Sequence, residues 1–134
     1  MMRLARCIAP AVLLAACAST PEGQYGKPYA IFQPDTKVIR PTGEAPAYVI
    51  KIDDRTIPRG RFDPVEAGMR NVEVALTVAQ DSTVQKTYPI RVDAKPCMRY
   101  YMSLQQASPG AEWTPYVSGI DRIGECASRF DIRY

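Results

Sequence analysis

The 134-residue chain carries 17 basic and 14 acidic side chains, four cysteines and no histidine. The missing histidine excludes serine–histidine and cysteine–histidine nucleophilic pairs and any histidine-ligated metal. The basic residues are scattered, so the net charge of +3 does not point to nucleic acid.

Residues 1–16 have the layout of a lipoprotein signal peptide. Arg3 and Arg6 form a positive start, and Cys7 to Ala16 form an apolar run too short to span a bilayer. Leu14-Ala15-Ala16 then supplies a small-residue cleavage site directly before Cys17. The residue after the cut must be cysteine because its thiol takes the diacylglyceryl thioether. Cys17 is therefore the expected lipidation site and new N-terminus; the alternative is an ordinary secretory leader with a coincidental cysteine. Loss of Arg3 and Arg6 leaves two fewer than 17 basic residues, that is 15, against 14 acidic ones, a nearly neutral mature chain. Alanine rather than aspartate follows Cys17, which implies the periplasmic face of a bacterial outer membrane. Residues 17–28 are rich in Ser, Thr, Pro, Gly and Gln with little to bury, and read as the lipidated cysteine and a flexible tether. Residues 29–134 are expected to form one small domain.

Period-two patterning begins at Tyr29. Tyr29 to Phe32 and Lys37 to Arg40 are short strand candidates, ended by Gln33-Pro34-Asp35 and Pro41-Thr42-Gly43. Tyr48 to Asp53 is stronger, with Tyr48, Ile50 and Ile52 on one face. Asn71 to Gln80 is the clearest strand: Val72, Val74, Leu76 and Val78 alternate with Glu73, Ala75, Thr77 and Ala79. Thr83 to Val92 follows with Tyr88, Ile90 and Val92 on one face, and then Met98, Tyr100, Met102 and Leu104. The segment from Tyr116 to Cys126 is mixed, and Ala127 to Tyr134 reads as a tail that adds an edge strand or frays. Six or seven short strands punctuated by twelve prolines predict an all-β, small antiparallel β-sandwich of immunoglobulin or transthyretin type. Asp63-Pro64-Val65-Glu66 has the form of a helix start, but Gly68 limits it to one turn; a turn with Gly68 at positive φ is the expectation.

Of the four cysteines, Cys7 leaves with the leader and Cys17 is taken by lipid, so Cys97 and Cys126 remain. In an oxidising compartment they are expected to pair, because two isolated cysteines do not match a zinc site. Asp53-Asp54, Asp63 and Glu66 are the one acidic grouping with catalytic potential, as paired carboxylates across a glycosidic bond. A hairpin turn at Asp53-Asp54 is the favoured alternative. Tyr100 and Trp113 are expected to fill the core beside the disulfide, leaving Tyr101 and Tyr116 as candidate surface contacts.

Val65-Glu66-Ala67-Gly68 and the alternating strand after it resemble the motif of PEGA-like domains, with Ala67 in place of the proline. Pro96-Cys97-Met98-Arg99-Tyr100-Tyr101, Trp113-Thr114-Pro115 and Gly124-Glu125-Cys126 are similar to a group of proteobacterial lipoproteins. The resemblance implies a sandwich fold and a disulfide, and no catalytic residue. The resulting expectation is a lipid-anchored envelope protein, structural or binding in role, with no cofactor or metal. Its partners would be the membrane, through Cys17, and an envelope protein or glycan, but not nucleic acid. An accessory lipoprotein of an envelope or secretion assembly is the alternative, and a glycan-acting enzyme the weakest of the three.

Overall fold

The computed structural model describes residues 25–37, 39–58, 60–77 and 86–134. The leader, Cys17, most of the expected tether, Val38 and residues 78–85 lie outside that set. The expectations for Val78 and for the start of the Thr83 strand therefore lie outside it as well.

Among the described residues, nine strands and one short helix build a β-sandwich of two sheets. The strands are β1 (Tyr29–Pro34), β2 (Glu44–Pro46), β3 (Tyr48–Ile52), β4 (Arg55–Thr56), β5 (Val65–Glu66), β6 (Gly68–Ala75), β7 (Tyr88–Ala94), β8 (Met98–Gln105) and β9 (Thr114–Arg122), and the helix is α1 (Gly124–Arg129). The four-stranded sheet has the order β4-β3-β6-β7 and is antiparallel throughout. In the five-stranded sheet β8 pairs with β9 along its whole length. Its other edge carries first β1, then β2, and β5 lies outside β1. All these pairings are antiparallel except β1 with β8, which run in the same direction.

The core between the sheets is assembled from the alternation that the sequence displays. Val72 and Val74 of β6, Tyr88 and Val92 of β7, and Tyr100, Met102 and Leu104 of β8 all point into it. The Tyr100 ring stacks on Phe32 of β1 with centroids 5.2 Å apart. Leu76 falls just beyond the end of β6 and is only partly buried.

The face expected for β3 is corrected by a bulge. Val49 pairs with Val74 and Ile52 with Val72, so four residues of β3 span three of β6. The extra residue shifts the alternation by one. Val49 and Ile52 therefore face the core, and Tyr48 and Ile50 do not continue the Ile52 face. The β3–β4 hairpin turns at Asp53-Asp54, both at positive φ (48° and 65°), the two-residue turn whose twist matches its strands. Gly68 has φ 121° where β6 begins, as expected. Of the expected strand Lys37 to Arg40, Val38 lies outside the described residues, and Lys37, Ile39 and Arg40 are not in a strand; the described strand in that region is β2, which the pattern did not reveal.

The mixed C-terminal segment resolves into β9 and α1. The helix has no side-chain N-cap and only six residues, too few to be stable alone, so packing holds it. Its Cys126 and Ala127 press, with Ile123, on Tyr29, Ile31 and Cys97. Tyr29 and Ile31 lie on the outer face of β1, opposite Ala30 and Phe32, so this second apolar cluster covers the outside of the five-stranded sheet. Tyr25, within the segment read as tether, packs edge-on against Tyr29, 5.8 Å between centroids. The final residues are docked, not frayed: Arg122 Nη2 donates to the Ile132 carbonyl at 3.2 Å, and the Tyr134 hydroxyl donates to that of Pro96.

Cys97 and Cys126 form a disulfide, with Cα atoms 5.3 Å apart. It lies in this outer cluster and not between the sheets, so the expected placement of Tyr100 and Trp113 beside it is not realised. Tyr100 is in the inter-sheet core, and Trp113 is half-buried against the same core.

Leu104 has no exposed surface. Leu104→Ala is expected to lower stability by about 2–5 kcal/mol. Leu76→Ala should cost clearly less, read as urea midpoints at an unchanged slope. Equal losses would show that the core boundary at the end of β6 is misplaced. The disulfide closes a 29-residue separation, worth about 3–4 kcal/mol in the chain-entropy account. Cys97→Ser, Cys126→Ser and the double variant should melt together, well below the parent, because each breaks the same bond. A double variant much worse than either single one would contradict this.

Candidate functional site: a polar cleft on the outer sheet face

The outer cluster covers only the Tyr29 end of the five-stranded sheet. At the other end β1 leaves the sheet through Pro34 and Asp35, the Asp35 amide still donating to the Met102 carbonyl at 2.9 Å. The Asp35 side chain folds back over the sheet and is only 6% exposed. A buried carboxylate needs partners. Its Oδ1 accepts the Lys37 amide (3.3 Å), an Asx-type turn. Its Oδ2 accepts the Ser118 hydroxyl at 2.6 Å.

Ser118 owes its position to a second bulge. Tyr101 of β8 pairs with Gly119 and Met102 with Val117, so Ser118 is the extra residue of β9. A serine hydroxyl has one proton. With the Ser118 proton on Asp35, the 2.8 Å contact between the two hydroxyls makes Ser103 the donor to Ser118. Ser103 in turn accepts Arg40 Nη1 at 3.4 Å. A chain thus runs from Arg40 through Ser103 and Ser118 to Asp35. Arg40 Nη2 stands 3.6 Å from Asp35 Oδ1; it is buried and makes no hydrogen bond. Lys37 Nζ approaches Asp35 from the solvent side at 3.4 Å.

Tyr101 and Tyr116 flank this chain on the same face. Tyr101 donates to Asp121 Oδ2 at 2.8 Å, and its ring lies on Gly119, where an added Cβ would meet Cδ2 at 3.4 Å. Tyr116 pairs with Ser103 across the β8–β9 ladder. Two adjoining clefts result. One, of about 490 Å³, is lined by Asp35, Thr36, Lys37, Tyr101, Gly119, Ile120 and Asp121. The other, of about 340 Å³, is lined by Asp35, Lys37, Ile39, Arg40, Pro41, Glu44, Tyr116 and Ser118. Asp35 and Lys37 are common to both.

Burial pushes the Asp35 carboxyl up. The Ser118 hydrogen bond, the Lys37 amide and the Lys37 charge outweigh that and hold it below the ordinary carboxylate value. The Tyr101 phenol is raised, first by its hydrogen bond to Asp121 and then by burial, with Arg99 opposing. The Tyr116 phenol is raised by burial and then by its bond to Glu44, against Ser103 and Arg40. An ionised Asp35 with both oxygens engaged holds geometry and offers no proton for transfer.

The other sequence candidates do not join this site. Asp53 is a turn residue, accepting the Asn71 amide at 2.9 Å and Arg70 Nη1 at 2.7 Å. Those bonds lower its carboxyl, the backbone bond from Asn71 most. Asp63 pairs with Arg61, and Glu66 with Lys27, on separate loops and edges. Among the described residues no three acidic, cysteine or histidine side chains group to hold a metal, and no helix is long and apolar enough to cross a membrane. A separate apolar cleft of about 410 Å³ lies at the edge of the four-stranded sheet, with Tyr48, Ile57, Phe62 and Leu76 in its lining. The structure brings together Tyr101 and Tyr116, named from sequence, with Asp35, Arg40, Ser103 and Ser118, which were not. Asp35 stood in a segment read only as a strand end.

Compared with protein families, with curated proteins and with solved structures, the chain matches none.

Because the folded Asp35 carboxyl titrates below the unfolded value of about 3.9, its ionised form stabilises the fold above that pH. The contribution is lost as pH falls through the lowered folded value. Asp35→Asn should therefore be less stable than the parent at neutral pH, with the gap narrowing as melts are taken from about pH 6 towards about pH 2. Asp53 behaves alike in both proteins and drops out of the comparison. A gap that stays constant with pH would show that the Asp35 charge contributes nothing.

Proposed function

We propose that this chain is a lipid-anchored bacterial envelope protein, held at the periplasmic face of the outer membrane through Cys17. Its sandwich serves as a binding module and not as an enzyme. The observation that carries the reading is the Cys97–Cys126 bond, closed at a site with no exposure for either cysteine. Such a bond forms and persists in an oxidising compartment, the destination of a leader ending Leu14-Ala15-Ala16 directly before Cys17. The polar cleft is consistent with binding. It lies towards the Asp35 end of β1, about 17 Å of strand beyond Tyr29. Cys17 precedes Tyr25 by eight positions, a reach of at most about 28 Å. That reach exceeds the length of β1, so the tether alone lets either end of the sheet face the membrane.

Metabolic labelling with palmitate tests the anchor. Labelled protein in the envelope fraction is expected for the parent, and unlabelled, uncleaved precursor for Cys17→Ser. A labelled Cys17→Ser variant, or an unlabelled parent, would overturn the reading.

A further inference from the structure

We propose that the joined cleft over Asp35 binds an uncharged saccharide, with a sugar ring stacked on Tyr116 and its hydroxyls bonded to Asp35, Arg40 and Lys37. The proposal rests on the binding-module reading above but not on the anchor. Charge is the first argument. Lys37 and Arg40 face Asp35 and Glu44 in the smaller cleft, and Asp121 adds a third carboxylate in the larger one, so the joined cleft has two cations against three anions and does not recruit an anion. It is nonetheless dense in donors and acceptors, which suits a ligand carrying many hydroxyls.

The second argument is unused capacity. Arg40 Nε reaches the Lys37 carbonyl at 3.3 Å and Nη1 reaches Ser103 at 3.4 Å, both long, while Nη2 has no acceptor. The long Nε and Nη1 bonds can be exchanged for closer ones, and a sugar hydroxyl beside Arg40 supplies such an acceptor. The third is rigidity. Tyr101 is held by its bond to Asp121 and by Gly119 against its ring, so that ring is fixed before a ligand arrives. Fixed aromatic rings bind at low entropic cost.

Other occupants fit less well. An apolar molecule would cover the Asp35 carboxylate and the Ser118 hydroxyl without bonding them. A phosphate would sit against Asp35 and Glu44. An extended peptide adds to a sheet edge, whereas this cleft lies on a sheet face between Tyr101 and Tyr116. Both volumes lie within the range of small-ligand sites.

The test uses the full chain as Cys17→Ser, so that acylation and binding are read separately, with 15N labelling and amide spectra. The probes are chitotetraose, cellotetraose and maltotetraose, with inorganic phosphate as the anionic arm. At least one saccharide should give saturable shifts at Tyr101, Tyr116, Ser118 and Gly119, little affected by salt. Tyr116→Ala should weaken binding about tenfold or more, and Tyr116→Phe by no more than about threefold. Lys37→Ala, whose side chain is 66% exposed, provides a second weakening variant should Tyr116→Ala lose its fold. No saturable shift from any of the three saccharides at about 10 mM, stronger shifts from phosphate, or shifts centred on Phe62 and Leu76 would each overturn the proposal.

Discussion

The parallel pairing of β1 with β8 is the constraint on which the rest depends. Parallel neighbours need a long crossover, and here the whole four-stranded sheet lies in sequence between them. This pairing, with β5 on its other side, places β1 inside the five-stranded sheet, where it must be covered on both faces. Its sequence answers with Tyr29 and Ile31 outward, Ala30 and Phe32 inward. The inward pair meets the second sheet. The outward pair needs a separate cover, and the residue just before β8 supplies its attachment. Cys97 donates its amide to the Tyr29 carbonyl at 2.6 Å and accepts that of Ile123 at 2.8 Å. Its sulfur then fastens α1 over the exposed apolar patch.

Much of the fold was legible because alternation records burial. β6, β7 and β8 each carry a regular series whose inward members are buried or half-buried where the pattern said. What alternation cannot record is a change of phase. The β3 bulge exchanges Tyr48 and Ile50 for Val49, and no local signal marks it, because all three residues are strand formers. A continuous apolar run such as Tyr29 to Phe32 reveals double burial but not what provides the second cover. The helix was hidden for another reason: six residues without a side-chain cap have no helical signature, and only the disulfide and the patch beneath make them helical. The pairing of Cys97 with Cys126 followed from counting cysteines; their position outside the sandwich did not.

The site was less legible than the fold. Tyr101 was visible as an aromatic on the outward register and Tyr116 only as an aromatic in a mixed segment, and the residues between them belong to three distant segments. Asp35 and Arg40 flank a loop, Ser103 is an outward residue of β8, and Ser118 is placed by a bulge in β9. Each is unremarkable in its own stretch. Their chemistry appears only when β8 brings β1 and β9 to its two edges.

The two ends of the outer face are then built on opposite principles. At the Tyr29 end the chain removes apolar surface from water and locks its cover with a covalent bond. At the Asp35 end it buries a carboxylate, the Ser103 hydroxyl and most of a guanidinium, with Ser118 half-buried, on a face that apolar side chains and a second cover would have closed equally well. Replacing buried ionic groups by well-packed apolar ones is often neutral or stabilising, so stability alone does not explain this choice. Nor is the network complete in itself, because Arg40 keeps a buried donor without an acceptor beside an otherwise satisfied chain of hydrogen bonds. A group of this kind is costly in a finished core. Beside an open cleft, the long Nε and Nη1 bonds of the same guanidinium can be exchanged for closer ones to a ligand.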